Sequence, residues 1–245
     1  MNALTHGQGF VFRIYRSIGS FRVARIFWPP TYATSFRVST VDVEAEVARL
    51  LQAAEFKQAA TVVVEAYGPG VLGFLATMLG DQAEASDAFA QACENLWKGL
   101  SGFEGRSTVK TWFYTLARNA GLRLRRSPNR PRFVPFSEVS DVIQRVRSRT
   151  AQHLRSEIKT GVAAIRDELS VADRALLVLR VDRGMSWLDA AQVMSEAGAS
   201  DAQLARTAAR LRQRFRTVKE LIRKRAREIG LLGDGDDRIE VDAEP

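Results

Sequence analysis

Apolar residues recur along this chain at spacings of three and four, and no useful stretch alternates with period two. The pattern predicts an all-α protein. From Val43 to about Tyr67 the apolar positions are 43, 47, 50, 51 and 54, and Gly68-Pro69-Gly70 is expected to break that helix. A short apolar stretch, Val71 to Leu79, ends at Gly80-Asp81. The next helix places Phe89, Cys93, Leu96, Trp97 and Leu100 on one face, and the glycines of 101–105 make a loop. Val109, Trp112, Phe113, Leu116, Ala117, Ala120 and Leu124 then line a further helix, with Ser107 as its expected N-cap. These segments form one expected unit, residues 42–126.

Ser127-Pro128 stops that helix, because proline disfavours a helical residue before it. Residues 127–151, with Pro128, Pro131 and Pro135, read as a linker. A second helical unit is expected over 152–232. Ser170 with Asp173, Ser186 with Asp189 and Ser200 with Gln203 each have the spacing of an N-cap. They open a helix through Leu176, Leu177 and Leu179, a short helix ending near Met194, and a long helix. The long helix has apolar positions 204, 208, 211, 215, 218, 222 and 226, and Gly230 stops it. The predicted architecture is therefore two small helical domains joined by a linker.

Composition narrows the function. Of 245 residues, 46% are hydrophobic and 26% charged, which excludes global disorder. One cysteine, Cys93, rules out an internal disulfide framework and a cysteine-based zinc cluster. Two histidines, His6 and His153, leave little for a metal site or a Ser-His-Asp triad. No cofactor or metal is expected, and the composition points away from an enzyme.

The charge adds a partner class. Lys plus Arg number 36 against 28 Asp plus Glu, for +8, and the pI is near 10.1. Residues 1–41 contribute +5, residues 42–232 contribute +8 and residues 233–245 contribute −5. Within the middle, 118–132 holds six Arg and no acid, and 206–227 holds ten bases against Glu220. Two basic runs on amphipathic helices point to nucleic acid.

The ends are set apart. Residues 1–41 carry no apolar run long enough to cross a membrane, and their arginines interrupt any signal-peptide core. They read either as a basic, disordered arm or as sequence upstream of a true start near Val38 or Val41; the second is preferred. The acidic tail after Gly233 reads as a disordered, solubilising end.

The two basic helices carry different chemistry. The outline of 173–228 is that of a helix-turn-helix, whose second helix uses residues near its N-terminus on base edges. Those residues are Gln203, Arg206, Thr207 and Arg210; arginine pairs bidentately with guanine and glutamine with adenine. Arg212, Arg214, Arg216 and Lys219 lie further along and suit phosphates. The 103–126 stretch interleaves aromatics with bases, the combination expected for unpaired bases and their backbone. Its candidates are Arg106, Lys110, Trp112, Tyr114, Arg118, Asn119 and Arg123. Phe113 and Leu116 are read as core, Trp112 as either, and Tyr114, off the apolar face, as free to meet a ligand. Cys93 reads as a small buried hydrophobe.

Residues 81–126, DQAEASDAFAQACENLWKGLSGFEGRSTVKTWFYTLARNAGLRLRR, resemble region 2 of the sigma-70 family, in particular its extracytoplasmic-function (ECF) group. The matching pieces are the acidic start with Asp87 ten residues before Trp97, the loop containing Phe103, Thr-Trp-Phe-Tyr and Ala-Arg-Asn. Residues 168–228 resemble region 4, though the turn before the long helix is longer than the family's. The resemblance implies a cytoplasmic promoter-recognition subunit partnered by RNA polymerase core and promoter DNA. Asp87, Gln91, Glu94 and Trp97 would contact polymerase. The stretch 103–126 would bind and melt the −10 element, and the helix from 200, including Arg214, would read the −35 element. An anti-sigma factor is a further partner that the resemblance admits. The alternative is a sigma-like helical DNA-binding regulator that does not itself support initiation.

Overall fold

The computed structural model describes residues 40–126, 141–148, 165, 167–196 and 198–229. The expected N-terminal arm before Thr40, the acidic tail, and most of 127–164 lie outside the described residues. Among the described residues every regular element is helical: α1 (Thr40–Gln52), α2 (Phe56–Leu79), α3 (Gln82–Gly99), α4 (Val109–Arg126), α5 (141–148), α6 (Val171–Leu177), α7 (Trp187–Met194) and α8 (Asp201–Glu228). A 3-10 turn, Leu100–Gly102, follows α3, and a π turn, Val178–Asp182, extends α6.

The first helix boundary differs from expectation. The break falls at Ala53–Glu55, where Ala54 takes φ 57, and α2 runs unbroken through Gly68-Pro69-Gly70. Tertiary packing overrides the local breakers. A Cβ added at Gly68 would lie 3.3 Å from both Phe89 and Val146, and one at Gly70 would lie 2.6 Å from the Tyr114 hydroxyl. The glycines are contact points where other helices press on α2. By length and composition α2 could cross a bilayer, but 61% of its most apolar window is buried inside the molecule. It is the central core helix.

Local caps behave as their spacing suggests. Asp81 accepts the Glu84 N–H at 2.8 Å to open α3. Ser170 accepts from Asp173 N (3.1 Å) and Ser186 from Asp189 N (3.0 Å), and each serine hydroxyl also donates to its aspartate carboxylate at 2.6 Å. Ser200 and Gln203 form a reciprocal capping box at the start of α8. Such a cap contributes about 0.5–2 kcal/mol to its helix.

At α4 the expected Ser107 cap is replaced. Thr108 Oγ1 accepts the Thr111 N–H at 3.1 Å, and the Glu44 carboxylate of α1 accepts from Val109 N (2.9 Å) and Lys110 N (3.1 Å). Tyr67 donates its hydroxyl proton to the same carboxylate at 3.2 Å. A carboxylate on free N–H groups also sits well with the helix dipole.

The stretch expected to be only a linker contains α5, whose Val142, Ile143 and Val146 are buried in the main core. Arg147 Nη2 donates to the Ser86 carbonyl at 2.6 Å, and Arg145 pairs with Glu65 at 2.9 Å. The apolar spacing 142, 143, 146 supplies one buried helical face, which the proline-rich composition upstream obscured. The two expected units also share one core. Val178, Leu179, Met185, Ala190 and Val193 belong to the same buried cluster as Phe74, Phe89, Phe113 and Tyr114. A smaller cluster of Ile165, Leu169, Val218, Ile222 and Ala226 holds the C-terminal half of α8, and Arg225 reaches Glu168 at 2.6 Å beside it.

Candidate nucleic-acid and polymerase interface

The residues singled out from the sequence fall on three surfaces. The first is a stripe along α3. Ala85, Ala88, Phe89, Ala92, Cys93 and Leu96 turn inward, and burial raises the Cys93 thiol well above its ordinary pKa. Asp87, Gln91, Glu94 and Trp97 recur at helical spacing at the edge of that buried face and are all half-buried. Gln91 Nε2 donates to Asn95 at 3.3 Å, and Lys98 pairs with Glu94. Trp97 leans on the main core, so this stripe is an acidic and amide row beside an apolar ridge.

The second surface is the 103–107 loop with α4. Phe103 lies against Trp112 with ring centroids 4.9 Å apart, and Trp112 covers Gly99, where an added Cβ would fall 2.9 Å from the indole. Under the loop is a cleft of about 350 Å³ lined by Glu44, Val47, Ala48, Leu51, Phe103, Glu104, Gly105, Ser107 and Val109. Arg106 is exposed and pairs with Glu104 at 3.1 Å. Arg123 is exposed, as are Arg125 and Arg126, so the C-terminal turn of α4 is a cluster of solvated guanidinium groups. Asn119 and Arg118 are half-buried; burial, with Arg126 nearby, lowers the Arg118 pKa.

Two α4 candidates stand elsewhere than expected. Tyr114 is not free to meet a ligand: it is 2% exposed, its ring meets Phe74 edge-on at 5.4 Å, and burial raises its pKa. The sequence pattern placed Tyr114 off the stripe that packs on the core, but its ring lies against Phe74 and its hydroxyl at Gly70, so α2 buries it. Lys110 is half-buried beside Arg183 and Asp189. Burial lowers its pKa, the neighbouring Arg183 guanidinium lowers it further, and Asp189 and Glu44 partly offset this. Phe113 is fully buried as expected, and Leu116 is half-buried.

The third surface is the N-terminal half of α8. Arg206 and Arg210 are exposed, Thr207 half-buried, and Gln203 exposed with its side-chain oxygen taken by the Ser200 N–H. Arg206 Nε donates to the Ala202 carbonyl at 3.1 Å, which bends it back along its own helix. Arg214 is held: its Nε and Nη2 donate to Asp173 at 2.7 and 2.6 Å. Burial opposes the Asp173 charge, but the bonds from Arg214 and Ser170 outweigh it and lower the pKa. Trp187 ties α7 to its neighbours, with Arg180 over its ring at 3.9 Å and Phe215 edge-on at 5.6 Å.

Glu44 and Arg183 had no signal in the sequence, and the contact between Thr111 and Asp189 had none either. Their partners lie 65 or more residues away or across a helix interface, and no local spacing marks these contacts.

Comparison with known proteins agrees with this layout. Residues 63–130 match the sigma-70 region 2 family, which spans most of α2, all of α3 and all of α4. The RNA polymerase sigma-H factor of Pseudomonas aeruginosa is 30% identical over 146 residues, covering 56% of this chain and 76% of that protein. The RNA polymerase sigma factor YlaC of Bacillus subtilis is 26% identical over 113 residues, covering 45% of this chain and 62% of that protein. With the helices that carry the motif folded around one core and most of a curated sigma factor's length covered, the chain belongs to the sigma-70 family, as a divergent member of ECF type.

Proposed function

We propose that this chain is a cytoplasmic sigma factor that directs RNA polymerase core to promoters. The observation that carries the reading is the region 2 match falling on α2–α4, where the Phe103–Trp112 ring pair and an arginine cluster share α4 and the loop before it. Asp87, Gln91, Glu94 and Trp97 on α3 take the polymerase. Arg106, Trp112, Asn119, Arg118 and Arg123 hold the −10 strand, aromatic faces stacking on bases and guanidinium groups on phosphates. Flipping one base out of the stack costs a few kcal/mol, and the cleft under the 103–107 loop would offset that cost. Gln203, Arg206, Thr207 and Arg210 on α8 read the −35 duplex, with arginine suited to guanine and glutamine to adenine.

The reaction is binding and strand separation, so no cofactor enters the reading. The experiment is a polymerase pull-down followed by run-off transcription from genomic promoters. A promoter-dependent transcript supports the proposal. Holoenzyme without any transcript supports the second reading, a sigma-like regulator that does not initiate. The burial of Tyr114 against Phe74 and of Lys110 beside Arg183 favours that reading for the chain in this conformation.

A further inference from the structure

Arg183 and Lys110 bring two cations to one junction. Arg183, in the turn before α7, lays its guanidinium along α2. A Cβ added at Gly70 would fall 3.2 Å from its Nη1, and one at Gly73 would fall 3.5 Å from its Nη2. The same Cβ at Gly70 would fall 2.6 Å from the Tyr114 hydroxyl, so α2, α4 and this turn meet where Gly70 has no side chain. Lys110 lies one turn before Tyr114 on the same face of α4 and stands beside Arg183. Both cations are half-buried, and neither has an ion pair among the described residues. Among the same residues, Arg183 Nε and Nη2 find no hydrogen-bond partner although both atoms are buried. The carboxylates nearby are Glu44 and Asp189, with Asp182 close to Tyr114. Glu44 accepts from two α4 N–H groups and the Tyr67 hydroxyl, and Asp189 accepts from the Thr111 and Ser186 hydroxyls. The oxygens of Glu44 and Asp189 are thus taken by other donors.

We propose that Lys110 and Arg183 form a binding site for a small molecule ending in a phosphate dianion. Two like charges held partly out of water repel each other, and a dianion placed between them turns that repulsion into attraction. Nε–H and Nη2–H form one edge of the guanidinium, two parallel donors spaced for two oxygens of one phosphate. That edge rests on α2 without an acceptor. Turning it towards an oxyanion beside Lys110 gains two charge-assisted bonds and gives up none. The turn has room for this motion: Gly184 is exposed, and nothing beyond its chain neighbours lies within 4 Å of a Cβ added there. Charge selects the ligand class. Two cations balance the two negative charges of a terminal phosphate, whereas each phosphodiester of a nucleic acid carries one. The site therefore differs in ligand from the DNA surfaces proposed above and does not depend on them.

The test is thermal unfolding of the full chain, with sodium phosphate replacing sodium chloride at constant ionic strength and pH. Each variant's rise is taken from its own melting temperature in chloride, so lost packing cancels. At phosphate about tenfold above Kd, the wild-type melting temperature is expected to rise by about 3–6 °C. Arg183→Met and Lys110→Met are each expected to lose most of that rise. Lys110→Met keeps the guanidinium and gives the same reading should Arg183→Met fail to fold. Arg49→Met, on the exposed face of α1, is expected to keep the rise. No rise in the wild type would overturn the proposal. So would equal rises in the wild type and in the two site variants, which would mean an adventitious ion only. A second arm uses dimethyl phosphate, the monoanion of a diester. A rise as large as that in phosphate would assign the two cations to a strand backbone and overturn the dianion site.

Discussion

Asp173 joins α6 to α8 through one carboxylate. It sits at 4% exposure, accepts two bonds from Arg214 and one from Ser170, and opens the first turn of α6. Arg214 is mostly solvated at 55% side-chain exposure, so the penalty of breaking the pair falls on the carboxylate. Asp173→Ala is expected to cost about 1–3 kcal/mol in urea unfolding, through the lost charge-assisted bonds. Its lowered folded pKa fixes the sign of the pH dependence. The stabilisation is complete above the unfolded value of about 3.9 and is lost as pH falls through the lower folded value. The stability gap between wild type and Asp173→Asn should therefore narrow with acidification; a gap that stays constant to about pH 3 would contradict the assignment. Glu44 is the second residue of this kind. Glu44→Ala removes the acceptor for Val109 N, Lys110 N and the Tyr67 hydroxyl together, and about 1–2 kcal/mol is expected from thermal melting.

At the scale of elements, α2 tests whether a breaker is tolerated or needed. Pro69 supplies no N–H for the carbonyl one turn back, and an interior helical proline costs about 3 kcal/mol. Pro69→Ala is expected to raise stability by about 1–3 kcal/mol, because α2 is already helical there and Pro69 is only half-buried. A fall in melting temperature would show that proline holds a bend that the packing requires. On α8, Arg206→Ala with Arg210→Ala should weaken −35 dependence by about 1–3 kcal/mol per lost base contact while leaving core binding intact. Equal loss on a promoter with a scrambled −35 element would sink that assignment. On α3, Asp87→Ala with Trp97→Ala should reduce core capture. Trp97 leans on the core, so circular dichroism must show the helices retained for the result to count.

For the whole molecule, the shared core means that the second unit is part of the fold of the first. Removing α6–α8 would take Val178, Leu179, Met185, Ala190 and Val193 out of the main core. If α4 and α8 both take phosphates, binding of DNA by holoenzyme should fall more steeply with log salt than binding by the free chain. Each additional phosphate contact adds to the slope. Equal slopes would mean that polymerase opens no further DNA surface on this chain.

Much of this protein was legible as a string of residues. The 3.6 period specified helices, since burying one face needs nothing more than that spacing. Serine caps at 170, 186 and 200 placed three helix starts, because a cap is a local exchange between a side chain and the next turn. The region 2 pattern marked the family. What the string could not carry was contact between distant segments. Gly68-Pro69-Gly70 breaks an isolated helix, yet stays helical where Phe89, Val146, Tyr114 and Arg183 press against it. Tyr114 lies off the apolar stripe of its own helix and is buried by another. The charge on Glu44 finds its use 65 residues away. Helix faces are set by local periodicity; which face meets which is set by the free energy of the whole packed core, and that decided that Tyr114 lies in the core and Arg206 and Arg210 in solvent.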